Sequence, residues 1–281
     1  MKTWKKIVLG VSLTSLFLGG GLVAWGYSQG GLTDLQNKTI SEQDYVKKEV
    51  KDFNKIDIKS SSYNVLIKNG EVDKATLSYY QKTKNPIDTS VKDGQLTIND
   101  NNSELDSTSN KHINFFGLKD LVRLSTLNKE VRNKTIVITL PKKQTIDFLK
   151  VDLATGNLDL SNSTIKQADI NLNVGDLTFT KMIVSNLKAN LDVGSVDSDH
   201  TLFTNSDLSI AMGDYSGDNL IFNGHNKLDV TSGDIEIVLK DYTLNVQADS
   251  HSGEVDITNN LKISKDNTLT ITSDLGDITV E

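Results

Sequence analysis

The sequence predicts an all-β protein, a β-solenoid-like stack of ~20-residue β-strand repeats preceded by a single-span N-terminal transmembrane helix. Three observations predict it. Gly156, Gly175, Gly194, Gly213, Gly233, Gly253 and Gly276 recur at steps of 19, 19, 19, 20, 20 and 23 residues, and a fixed period of this size marks units that bury their apolar faces only against their neighbours. Apolar and polar residues alternate on both sides of each glycine, as in "VDLATGNLDL" and "LDVTSGDIEI", so successive side chains point to opposite faces of an extended chain. An uncharged run, residues 7–26, follows Lys2, Lys5 and Lys6.

The N-terminus comes first. Twenty residues at about 1.5 Å each span about 30 Å, the hydrocarbon thickness of a bilayer. The preceding lysines place residues 1–27 as a cytoplasmic stub and signal-anchor, with the rest of the chain outside. Trp25 and Tyr27 mark the outer boundary. The competing reading is a cleaved signal peptide, because Ala24-Trp25-Gly26 loosely resembles a small-x-small site. The length of the apolar run and the bulk of Trp25 favour a retained anchor.

Residues 28–52 read as a polar stalk, with room for a helical turn or two at 41–50. Residues 53–140 form an atypical β region capping the repeats. "FNKIDIKSSSYNVLIKNG" looks like a degenerate copy of the later unit. Asn69-Gly70 and Asp93-Gly94 are tight hairpin-turn signals. A 99–127 insertion interrupts this region, polar at first and then apolar in "INFFGLKDLVRLSTL". Phe115, Phe116, Leu118, Leu121 and Arg123 stand there as a piece folded over the end of the core, or as a contact for a partner or the membrane. Residues 141–281 are the regular repeats, proline-free after Pro141. A solenoid is the favoured arrangement; a meander of hairpins would share the period, and the sequence alone leaves strand direction open.

Composition narrows the function. Cysteine is absent, which excludes disulfides, thiolate metal sites and a cysteine nucleophile. Residues 151–281 hold 7 Lys and Arg against 21 Asp and Glu, a balance of −14, within a chain of net charge −7. Such an acidic repeat region argues against a nucleic-acid partner. The four histidines, His112, His200, His225 and His251, show no HExxH-type spacing, and no GxSxG elbow, P-loop or GxGxxG occurs. No cofactor, metal site or enzymatic activity is expected. Asp176, Asp214, Asp234, Glu254 and Asp277 directly follow repeat glycines. Stacked coils would bring them into a file that a calcium ion could neutralise, but Asn157 and Ser195 break the file, and ordinary turn chemistry accounts for these residues.

The stretch "KTIVITLPKKQTIDFLKVDLATGNLDLSNSTI", followed by G-[DSE]-[ILVY]-x-[ILV] units over residues 53–281, resembles the putative-adhesin β-strand-repeat family of Gram-positive envelope proteins, a domain of unknown function. The resemblance implies a single-span envelope protein and brings no catalytic residues. The reading that follows is a non-enzymatic, membrane-anchored extracytoplasmic interaction module, linked to envelope homeostasis or stress response, whose partner is another envelope protein. The alternative is a surface adhesin binding host or cell-wall glycan. A hydrolase of wall polymers is the least favoured reading.

Overall fold

A computed structural model describes residues 43–82, 86–100 and 134–281, and the described residues form strands and turns with no helix. The first strands are β1 (Gln43–Glu49), β2 (Lys55–Ser60), β3 (Asn64–Gly70), β4 (Thr76–Lys82), β5 (Asp88–Lys92) and β6 (Gln95–Asn99). Then come β7 (Thr135–Pro141), β8 (Thr145–Ile146) and β9 (Phe148–Leu153). The regular coils contain β10 (Leu158–Ser161), β11 (Thr164–Ile165), β12 (Ala168–Val174), β13 (Leu177–Thr180), β14 (Ile183–Ser185) and β15 (Leu187–Val193). They continue with β16 (Val196–Asp199), β17 (Leu202–Thr204), β18 (Asp207–Met212), β19 (Tyr215–Asn223) and β20 (His225–Ser232). The last strands are β21 (Ile235–Leu239), β22 (Asn245–Ser252), β23 (Val255–Ile257), β24 (Thr268–Leu275) and β25 (Ile278–Val280).

Each regular coil has three sides. The first face carries β9, β12, β15, β18 and β20. The second, entered at the repeat glycine, carries β10, β13, β16, the start of β19, and β21. The third carries the short strands β8, β11, β14, β17 and the end of β19. Coil pairs with coil in parallel register, Leu158 beside Leu177 and Leu177 beside Val196, for example. Parallel winding excludes the hairpin meander, in which neighbouring strands would run antiparallel.

One continuous core fills the coils. Inward rows run Val65, Leu158, Leu177, Val196, Tyr215, Ile235 on the second face and Val151, Ile170, Ala189, Leu208, Leu228 on the first. Where the second-face column shrinks to Ser198 and Gly217, aromatic rings fill the space: Phe179, Phe203 and Phe222 follow one another at centroid separations of 5.3 and 5.8 Å. On the outside of the first face, Asp57, Lys150, Asp169, Lys188, Asp207 and Lys227 alternate in sign across six strands. A slip of one residue would turn that file and the core inside out, so the pattern fixes register.

Three features depart from the sequence reading. The 41–50 stretch holds no helical turn; β1 pairs antiparallel with β4, Val46 opposite Tyr79. Its lysines and glutamate read as a stalk because an edge strand exposes them. Asn69-Gly70 makes no hairpin, because β7 lies between β3 and β4 and both residues continue the β3–β7 ladder. Asp93-Gly94 does make one, with φ of 50° and 72° between antiparallel β5 and β6. The third departure is at the far end. There β24 inserts between β20 and β22, and β25 between β21 and β23, so the coil holding Gly253 is outermost in space although another follows it in sequence.

Candidate functional site

The glycine corner is built for close stacking. Gly175 and Gly194 have φ of 150° and 148°, a region L-residues avoid. A Cβ on Gly194 would also overlap the carbonyl of Gly175, the equivalent residue one coil back. The residue after each glycine completes the corner. The N–H of Asn157 donates to Asn64 Oδ1 (2.9 Å), that of Asp176 to Asn157 Oδ1 (3.0 Å) and that of Ser195 to Asp176 Oδ1 (3.0 Å). The file continues through Asp214 to Ser195 Oγ (3.3 Å), Asp234 to Asp214 (2.9 Å), Asp277 to Asp234 (2.9 Å) and Glu254 to Asp277 (2.8 Å). What the post-glycine positions that accept in this file share is a short side chain with an acceptor oxygen, not a negative charge; Glu254, at its outer end, only donates. Asn157 and Ser195 are therefore members of the file rather than gaps in it. Burial pushes the Asp176 carboxyl up from its ordinary value, opposed by the hydrogen bond from Ser195.

Asp159, on the outward side of β10, is buried, and its Oδ2 has no hydrogen-bond partner. Burial raises its pKa to about 7, the hydrogen bond from Thr178 opposing and the charges of Asp176 and Asp197 reinforcing the rise.

The third face carries the surface suited to binding. Its outward row runs Thr145, Thr164, Ile183, Leu202 and Ile221. The alternation in "KMIVS" puts Met182 and Val184 inside and leaves Ile183 outside, 48% exposed. Leu202 and Ile221, half-buried, continue it along the stack. Together with Lys181, His200, Asn219 and Lys240 they line a shallow open groove of about 170 Å³. The hydroxyl at its floor, Thr201, donates to the carbonyl of Asp199 (3.0 Å), so it is engaged in the backbone rather than poised as a nucleophile. An apolar strip with two lysines at its margin can hold a partner; the groove presents no nucleophile–base pair for turnover.

Of the residues singled out in the sequence, the seven glycines all lie at the one corner. Phe115, Phe116, Leu118, Leu121 and Arg123 lie outside the described residues, as does the apolar run 7–26. Among the described residues no helix is long and apolar enough to cross a membrane.

The Toastrack DUF4097 family matches residues 53–281, most of the chain. The protein belongs to the Toastrack DUF4097 family. Several solved structures resemble this Toastrack chain. One is described as a putative cell adhesion protein from Clostridium sporogenes, 15% identical, with 85% of this chain and 99% of that one covered and a TM-score of 0.34. Another is a putative adhesin from Bacteroides fragilis, 15% identical over 85% and 97% of the two chains, TM-score 0.38. A third is a putative adhesin from Parabacteroides distasonis, 13% identical over 85% and 98%, TM-score 0.34. At these identities and scores they carry no argument about what this chain binds. No curated protein matches the sequence.

Proposed function

We propose that this Toastrack protein is a non-enzymatic interaction module of the bacterial envelope, held outside the cell membrane by a helix over residues 7–26, with another envelope protein as its partner and a role in envelope homeostasis or stress response. The observation that carries the reading is the third-face strip of Ile183, Leu202 and Ile221. Outward positions elsewhere on the coils are mostly Asp, Lys, Asn, Ser and Thr, while here apolar residues stand side by side in three successive coils. They also do so at Val174, Val193 and Met212 beside the glycine corner, but of the two strips it is the third-face one that lines the groove. Exposed contiguous apolar surface favours burial against a partner, and Lys181 and Lys240 at its margin suit a partner with acidic residues around an apolar contact.

The test is co-purification from membranes with the tagged full chain, wild type against Ile183→Asp and Leu202→Asp. Ile183 is about half exposed, so its replacement keeps the fold, verified by unchanged circular dichroism. Loss of a specific envelope protein from the Ile183→Asp eluate supports the reading. Equal recovery by both variants removes the third face as the contact.

A further inference from the structure

We propose that Asp199, His200 and Asp218 form a binding site for a divalent transition-metal ion at the corner between the second and third faces. The corner is set by a file of left-handed residues, Asn162, Lys181, His200 and Asn219, with φ of 52°, 54°, 49° and 55°. Backbone bonds lock the coils together there: the N–H of Lys181 donates to the Asp199 carbonyl (2.8 Å) and that of His200 to the Asp218 carbonyl (2.9 Å). Residues 199 and 200 of one coil are thereby held against residue 218 of the next.

The side chains converge as well. His200 Nδ1 lies 2.6 Å from Asp199 Oδ1, and one donor atom from each of the three residues lies within 4.8 Å of the others. A metal about 2.0–2.2 Å from nitrogen and oxygen ligands needs donors roughly 3.0–4.4 Å apart, so the three can close on one ion with small side-chain rotations. Asn219 donates to Asp218 Oδ2 (2.8 Å), which orients that carboxylate and leaves its second oxygen for the ion, the arrangement by which outer groups steer metal ligands. All three side chains reach solvent beside the open groove, so water can complete the coordination.

One imidazole with two carboxylates selects zinc, manganese, iron(II), cobalt or nickel over calcium and magnesium, which prefer all-oxygen sets. The set is local to these two coils. The equivalent pairs in the two preceding coils are Ser161-Asn162 and Thr180-Lys181, which lack both the imidazole and the carboxylates. Lys181 and Lys240, which line the same groove as His200 and Asn219, are neighbouring cations and oppose the ion's charge. The site shares His200, Asn219 and Lys181 with the groove, but metal uptake is read without any partner protein.

The test is calorimetric titration of the full chain, in detergent and without a histidine tag, with zinc chloride in the presence of excess magnesium. The expected result is saturable uptake of one Zn²⁺ per chain. His200→Asn keeps the left-handed corner, since Asn occupies it at 162 and 219, and lowers affinity about tenfold or more, as does Asp218→Asn. Lys181→Ala tightens binding. His225→Ala, one coil further along, behaves as wild type. No saturable uptake, or affinity unchanged in both His200→Asn and Asp218→Asn, overturns the assignment.

Discussion

Replacing Asp159 with Asn tests the energetics of the stack where they are most strained. The rise of the Asp159 pKa from 3.8 to about 7 corresponds to about 4 kcal/mol, at about 1.4 kcal/mol per tenfold change in proton affinity. The folded state holds this proton more tightly than the unfolded state. Stability from this group is therefore fully present below pH 4 and is lost as pH rises towards 7. Asn carries no charge at any pH and keeps an acceptor for Thr178. However, it places an amide N–H₂ where Oδ2 has no partner, costing about 1–3 kcal/mol. The two terms oppose each other and only one depends on pH. Asp159→Asn is thus expected to be less stable than wild type at pH 4.5 and more stable by about 1–3 kcal/mol at pH 8, a shift of roughly 2–10 °C in Tm. Thermal unfolding of both proteins across this range measures it. Parallel pH profiles for the two proteins would refute the reasoning.

Other positions give sharper contrasts. Gly194→Ala meets both an unfavourable φ and the Gly175 carbonyl, and should cost about 3 kcal/mol or more in chemical denaturation. At the ladder, Asp234→Ala should lose about 1 kcal/mol, while Asp234→Asn, which keeps the acceptor for Asp277, should stay within about 0.5 kcal/mol of wild type. Equal losses would mean that charge, not the acceptor, matters. In hydrogen exchange, the amides of β24 should be protected more strongly than those of β22, because β24 is paired on both sides and β22 on one. Proteinase added to intact cells stripped of wall should remove residues 53–281, as an extracytoplasmic repeat domain requires.

The regular coils were legible because their demands fall on single residue types. A positive φ at a corner packed against the next backbone admits only glycine, so the period survives in the sequence. The face-one and face-two strands of the regular coils, four to eight residues long from β9 to β18 and in β20 and β21, repeat the alternation coil after coil. The third face was not legible. Its short strands have two or three residues, too few for a period of two to stand out, so nothing in "KMIVS" marks Ile183 as outward. The corner file read as broken acids because its rule is an acceptor oxygen, which Asn157 and Ser195 supply as well as Asp. The exchanged order at the far end left little trace. Both coils carry the same glycine motif, and pairing β24 rather than β22 with β20 is a choice between similar strands. Edge strand β1 misled through its composition, since Lys47, Lys48 and Glu49 face solvent.

The central claim is that the third face meets an envelope partner, and site-specific photo-crosslinking in intact membranes tests it most directly. A photoreactive residue at position 183 should capture one discrete envelope protein, and the same residue at position 209, in the polar outer row of the first face, should capture none. Capture of that protein from 209 as readily as from 183, or capture of nothing from 183 in the intact envelope, would contradict the account.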